Sequence, residues 1–193
     1  MNKSLLTFIS LLIFFTSCSS DDEILNQEKT NGFFVNSKFF DINKAYYIND
    51  ITTEQDNDFI IIVTDGEIKS FSSNTKEFEF SETTTNAVIF RGIQNSENAT
   101  ALNFVPNGTY KLNSNNESLS FTNFFFNCTT TDQNLVDCQY MELIKETNSP
   151  NIATIDIERD DLTEIYNLKY SFELSNSKVI NGNYSGSLTR FEH

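Results

Sequence analysis

Between Tyr166 and Leu174 every second residue is apolar. Tyr166, Leu168, Tyr170, Phe172 and Leu174 point one way, and Asn167, Lys169, Ser171 and Glu173 point the other. Side chains alternate across a strand with a period of two, so this segment predicts a strand with one face on a core and one in water. Asn176 and Ser177 supply a turn, and Val179 to Phe191 returns as the partner strand. On the return Ile180, Tyr184 and Leu188 share a face, with Gly182 and Gly186 between them. Glycine at those positions predicts bulges or close packing against an aromatic ring.

The rest of the chain reads the same way. Phe33 to Val35 and Lys38 to Ile42 flank an Asn36-Ser37 turn, which predicts an early hairpin. Ala45 to Asn49 and Asp58 to Thr64 follow. Phe59 to Val63 is continuously apolar, as a central strand buried on both faces would be. Asp65-Gly66 signals a turn. Further strands are expected around Phe78 and Phe80, at Ala87 to Ile93, Thr109 to Leu112, Leu119 to Phe126, Cys138 to Lys145 and Ile152 to Glu158. No stretch of eleven or more residues carries a 3.6-residue apolar period. The expected fold is therefore all-β: an antiparallel sandwich or barrel of roughly ten to twelve strands, with no substantial helix in the mature chain. Residues 31–193 are expected to form it as one domain.

Charge and residue counts narrow the function. Lys and Arg number 13 against 27 Asp and Glu, a net charge of −14. Nucleic acid and anionic headgroups both need a basic footprint, so neither is expected as a partner. The single histidine, His193, is the last residue, which argues against His-rich metal sites and His-activated nucleophiles. No glycine-rich phosphate loop is present, and no cofactor is implied.

The first residues read as an address. Lys3 is a short positive region, and Leu5 to Phe15 is apolar apart from Thr7 and Ser10. That run is too short for the roughly 20 residues of a spanning helix and has the layout of a secretory signal peptide over 1–17. Phe15-Thr16-Ser17-Cys18 resembles a bacterial lipobox, with Phe15 where the family prefers Leu. The resemblance implies that Cys18 carries a diacylglyceryl thioether. Ser19, Ser20, Asp21, Asp22 and Glu23 are similar to the export signal of Bacteroidetes-type lipoproteins, an acidic cluster just after the lipidated cysteine. That likeness implies a lipid-anchored protein of the outer membrane, facing the cell exterior. Residues 18–30 would be the lipidated cysteine and an acidic flexible tether, with a coil span of roughly 20 Å. Removal of 1–17 takes Lys3 and no carboxylate, so the mature charge is one unit more negative. The segment from Tyr166 to Leu188 also resembles the last hairpin of small all-β lipoproteins of the same group, some of them calycin-like barrels. Its residues are core and turn residues, so it implies a fold and no activity.

Cys128 and Cys138 remain when Cys18 is acylated. An even pair in an exported chain reads as a disulfide. It would close the loop Thr129 to Asp137, expected to be exposed and mobile. Phe124-Phe125-Phe126 cannot all face one core; alternation groups Phe125 with Leu119 and Phe121, or pairs Phe124 with Phe126. An outward ring would suit a ligand or partner contact. Among the carboxylates Asp56, Asp58, Glu158, Asp160 and Asp161, the segments Asp56-Asn57-Asp58 and Arg159-Asp160-Asp161 sit between strands and read as turn chemistry, without EF-hand spacing. No catalytic or metal residue is assigned.

Three functions follow as expectations. The first is a non-enzymatic surface lipoprotein that binds a glycan, protein or small ligand, or joins an envelope assembly. The second is a calycin-like carrier of an apolar small molecule, based on Phe33, Phe78, Phe80, Phe90, Phe121, Tyr170 and Phe172. The third is a small glycoside hydrolase using a carboxylate pair.

Overall fold

Asn36 and Ser37 adopt φ of 51° and 65°, the left-handed pair that a tight two-residue hairpin needs. They join β1 (Gly32–Val35) to β2 (Lys38–Asp41). The computed structural model describes residues 31–50, 57–72, 77–94, 104–112, 118–145 and 153–191. After this hairpin come β3 (Lys44–Asp50), β4 (Asn57–Thr64), β5 (Ile68–Ser72), β6 (Glu77–Phe80) and β7 (Ala87–Gln94). Then follow β8 (Gly108–Leu112), β9 (Ser118–Phe126), β10 (Thr129–Thr131), β11 (Asn134–Val136) and β12 (Tyr140–Lys145). The last four are β13 (Ala153–Arg159), β14 (Tyr166–Glu173), β15 (Val179–Gly186) and β16 (Thr189–Arg190). The described residues contain no helix, so the fold is all-β.

One sheet holds twelve strands, in the order β16-β3-β4-β7-β9-β8-β13-β14-β15-β1-β2, with β12 also beside β9. Two small sheets, β5-β6 and β10-β11, lie outside it. The large sheet is antiparallel, as expected, at all but two of its pairings: β8 runs parallel to β9 and β16 parallel to β3. The return strand, expected to run to Phe191, ends at Gly186. The chain then crosses, so that Thr189 and Arg190 pair with Tyr46 and Tyr47. Two short connections thus tie opposite ends of the strand order: Ile42-Asn43 between β2 and β3, and Ser187-Leu188 between β15 and β16. Together they curl the sheet around its inner face.

That inner face is the main core. Phe33 of β1 meets Phe124 of β9 at 5.4 Å between ring centroids, and Phe90 of β7 meets Tyr170 of β14 at 5.3 Å. Phe59 of β4 meets Tyr110 of β8 at 4.8 Å. Each pair joins strands far apart in the sheet, and each contributes about 0.5–1.5 kcal/mol beyond its burial. The expected close approach of ring and glycine is present at Gly182, which stands opposite Tyr170 in the ladder and lies under its ring.

β4 is buried on both faces, as its unbroken apolar run predicts. Phe59, Ile61 and Val63 enter the main core, and Ile60 and Ile62 enter a second cluster on the outer face. The hairpins β5-β6 and β10-β11 form a lid over that cluster with Ile68, Phe71, Phe80 and Leu135. β5 has no clean alternation in sequence because the β5-β6 ladder shifts register between Ile68 and Ser70.

The Cys128–Cys138 loop is exposed at most of its residues, as expected. It is a packed hairpin, turned by Asp132 and Gln133 at φ of 48° and 64°. Leu135 is only 7% exposed. The Thr130 hydroxyl donates to the Thr84 carbonyl at 2.6 Å, and the Phe80 amide donates to the Gln133 carbonyl at 2.7 Å. Strands of three residues are too short for a period of two to be read from sequence.

Candidate functional site

The double layer ends along β9, and a groove opens at that boundary. In the ladders Asn123 stands between Ile89 of β7 and Leu143 of β12, and Phe125 stands between Ala87 and Met141. Ile89 and Ala87 are buried beneath the hairpins. Leu143 and Met141, on the other side, are 46% and 65% exposed. A cavity of about 200 Å³ opens here. Ile89, Asn123 and Phe125 form its floor. Glu77 and Phe78 of β6 and Asn134 and Leu135 of β11 form its wall.

The groove is polar at defined points. The side-chain oxygen of Asn123 is buried and has no hydrogen-bond partner. A buried acceptor left unpaired costs about 1–3 kcal/mol, and such a group calls for an explanation in its surroundings. Asn134 adds a second amide and Glu77 a carboxylate. Among the described residues no lysine or arginine lines the groove. Phe78 and Phe125 are half-buried, and Phe78 stacks on Phe71 at 4.7 Å between centroids.

The phenylalanine run therefore divides. Phe124 and Phe126 face the main core, and Phe125 faces outward into the groove. Leu119 does not share the face of Phe125, as strict alternation required. The β7-β9 register shifts at Ser120, which moves Leu119 to the inner face. The side chain of Phe121 lies outside the described residues.

The disulfide anchors the groove wall. Cys128 and Cys138 are bonded, with Cα atoms 3.9 Å apart, inside the ~7 Å limit for a bridge. β9 and β12 are antiparallel neighbours at this end, with Tyr140 opposite Phe126. Asn127 and Asp137, each just before a cysteine, both have φ of 49°. These left-handed residues turn the chain off the sheet at both ends of the β10-β11 hairpin. A second brace comes from below. Asp65 accepts hydrogen bonds from the Thr85 amide at 2.9 Å, the Asn86 amide at 3.0 Å and the Asn86 side chain at 2.7 Å. Asn86 in turn accepts from the Asn127 amide at 2.9 Å.

The other sequence candidates are dispersed. Cys18, Ser19, Ser20, Asp21, Asp22, Glu23 and Asp56 lie outside the described residues, as does the side chain of Asp58. Glu158 is exposed on β13. Asp160 accepts from the amides of Leu162 and Thr163 at 2.9 and 3.4 Å, which holds its carboxyl below the usual range. Asp161 pairs with Arg159 at 2.6 Å. These are the bonds of a β13-β14 turn. Among the described residues no three His, Cys, Asp or Glu side chains group as a metal site. Asn123, Glu77 and Asn134 were not legible as site residues. Phe125 alone carried a signal, as the odd ring of its run.

No family model, curated protein or solved structure matches this chain.

Proposed function

We propose that this protein is a non-enzymatic ligand-binding module, held at the outer-membrane surface by a lipid on Cys18. The observation that carries the binding part is the groove beside β9, lined by the half-buried rings of Phe78 and Phe125 and by the polar residues Glu77, Asn123 and Asn134. Small-molecule sites combine apolar walls with a few fixed polar groups in this way. The location rests on Phe15 to Cys18 and on the acidic run Ser19 to Glu23. Metabolic labelling with a palmitate analogue, joined to protease treatment of intact cells, tests it. Label on the wild type, none on Cys18→Ala, and digestion from outside support the reading. Label that persists in Cys18→Ala contradicts the anchor.

One observation favours a second reading, a carrier with its ligand inside the main core. Thr122 is fully buried on the inner face of β9, and its hydroxyl oxygen has no partner. A polar ligand atom there would satisfy it. The groove is preferred because it is open to solvent and has polar groups on both floor and wall.

A further inference from the structure

We infer that the end of the sheet carrying the β13-β14 turn rests on a lipid surface with neutral headgroups, with Leu162 inserted at the headgroup boundary. This rests on the lipid anchor at Cys18 proposed above, and adds to it a second contact and an orientation. Leu162 is 95% exposed at the tip of that turn. The tip is held in place: Asp160 accepts from the Leu162 amide at 2.9 Å, and the Asp160 amide donates to the Ile165 carbonyl at 2.9 Å. Arg159 gathers the rest of the patch. Its guanidinium lies 5.0 Å from the centre of the Phe104 ring and pairs with Asp161 at 2.6 Å and Glu164 at 3.2 Å. Phe104 and Ile165 are 36% and 37% exposed. Apolar side chains grouped in this way on a surface mark a contact, where single exposed ones do not.

The point where the chain enters the fold decides what that surface meets. The Asn31 side chain donates to the Ser185 carbonyl at 3.1 Å and accepts from the Ser185 amide at 2.7 Å. Ser185 stands opposite Asn167, and Tyr166 stands opposite Arg159. The chain therefore enters at the end of the sheet from which the β13-β14 turn projects. Residues 19–30 link Asn31 to Cys18, a reach of at most about 45 Å. A lipid on Cys18 ties this end, and not the opposite one, to the membrane. Asp160, Asp161 and Glu164 outnumber Arg159 around Leu162, which disfavours anionic headgroups and suits neutral ones. The orientation also bears on the groove. β8 begins at this end, with Gly108 opposite Ile157, and β9 runs parallel to it from Ser118 beside Lys111. Asn123 and Phe125 lie further along β9, so the groove opens towards the far end, away from lipid.

The lipidated full-length protein in phosphatidylcholine vesicles tests this. The chain has no tryptophan, so Leu162→Trp supplies a single fluorescent reporter at the tip. Val179→Trp is its control: Val179 is exposed and stands opposite Glu173, about 23 Å along β14 from Tyr166. Lipid brominated near its headgroup should quench Leu162→Trp at least about threefold more than Val179→Trp, given an insertion depth of about 5–10 Å. Exchanging about a third of the lipid for phosphatidylglycerol should weaken that quenching at low salt. Equal or stronger quenching there overturns the neutral-headgroup assignment. The wild type in phosphatidylcholine nanodiscs removes any pull from tryptophan itself. A paramagnetic headgroup lipid should broaden the amides of Asp161 to Ile165 more than those of Ser175 to Val179. Equal quenching at the two positions, or equal broadening, overturns the contact and leaves the anchor standing. Vesicle flotation reads the anchor separately. A wild-type chain that fails to float, or a Cys18→Ala chain that floats as well, overturns both.

Discussion

Asn123 of β9 stands directly opposite Leu143 of β12, and the two are covered in opposite senses. The polar Asn123 oxygen is buried without a partner, while the apolar Leu143 is 46% exposed. A fold optimised for stability would exchange them. The inversion marks the edge of the second layer and the mouth of the groove. Asn123→Leu should therefore raise stability by about 1 kcal/mol, because it removes a buried acceptor that has no partner. It should also weaken ligand binding, the usual exchange of stability against function. Urea unfolding measures the first effect. A loss of stability of similar size would show that Asn123 is held by the fold.

The disulfide should matter for stability and for the groove wall together. A bridge across a sequence separation of 10 limits the unfolded chain by roughly 2.5–3 kcal/mol in the loop-entropy picture. Cys128→Ala/Cys138→Ala should lower Tm by about 5–12 °C. It should also weaken any groove ligand, since Asn134 and Leu135 ride on the bridged hairpin. With the proposed anchor on Cys18, membrane attachment should be unchanged. Scanning calorimetry and cell fractionation of the double variant check both statements. An unchanged Tm contradicts the first.

Gly182 and Tyr170 form a coupled pair. A Cβ at Gly182 would overlap the Tyr170 ring, whose hydroxyl donates to the Gly32 carbonyl at 3.3 Å. The ring cannot swing aside without losing that bond and its stack on Phe172. Gly182→Ala should cost about 1–3 kcal/mol by overpacking. In a Tyr170→Leu background the same change should cost at least about 1 kcal/mol less. A double-mutant cycle in urea reads the coupling directly, and additive costs would remove the contact as the cause.

The fold was legible where apolar period and strand length were both generous. The strict alternation of β14, the unbroken run of β4 and the Asn36-Ser37 turn all carried through to the structure. Three features were not legible. Lone register shifts at Ser120 and near Ile68 break the parity that the reading depends on. The β10-β11 strands are too short to show a period. The crossing at Ser187-Leu188 is a tertiary event, driven by burial of Leu188 in the main core, and nothing local announces it. The groove was hidden for a further reason: it is made by packing two hairpins against one side of β9, so its residues come from β6, β9 and β11. Only the crowding of three phenylalanines hinted that one of them had to leave the core.

Glu67 should give a pH-dependent signature. Its carboxylate accepts from Lys44 at 2.9 Å and from Lys69 at 3.0 Å. The Lys44 hydrogen bond, then that of Lys69, holds its pKa down to about 2 from the ordinary 4.5. A carboxyl depressed in the folded state adds stability that is present above its unfolded value and lost as pH falls through its folded value. The window here runs from about pH 4.5 down to about 2. All three groups are exposed, so added salt should shrink the effect. An NMR titration should place the Glu67 midpoint near 2 at low salt, and Lys44→Met should move it up. A wild-type midpoint in the ordinary range would break the pairing.

Ligand binding at the outer groove of β9 is open to direct measurement. Amide chemical-shift mapping of the isotope-labelled full-length protein against a mixed set of amines, neutral sugars and apolar compounds tests it most directly. Saturable shifts should centre on Phe78, Asn123, Phe125 and Asn134. Shifts centred instead on Phe90, Thr122, Tyr170 and Phe172 would put the ligand inside the main core and contradict it.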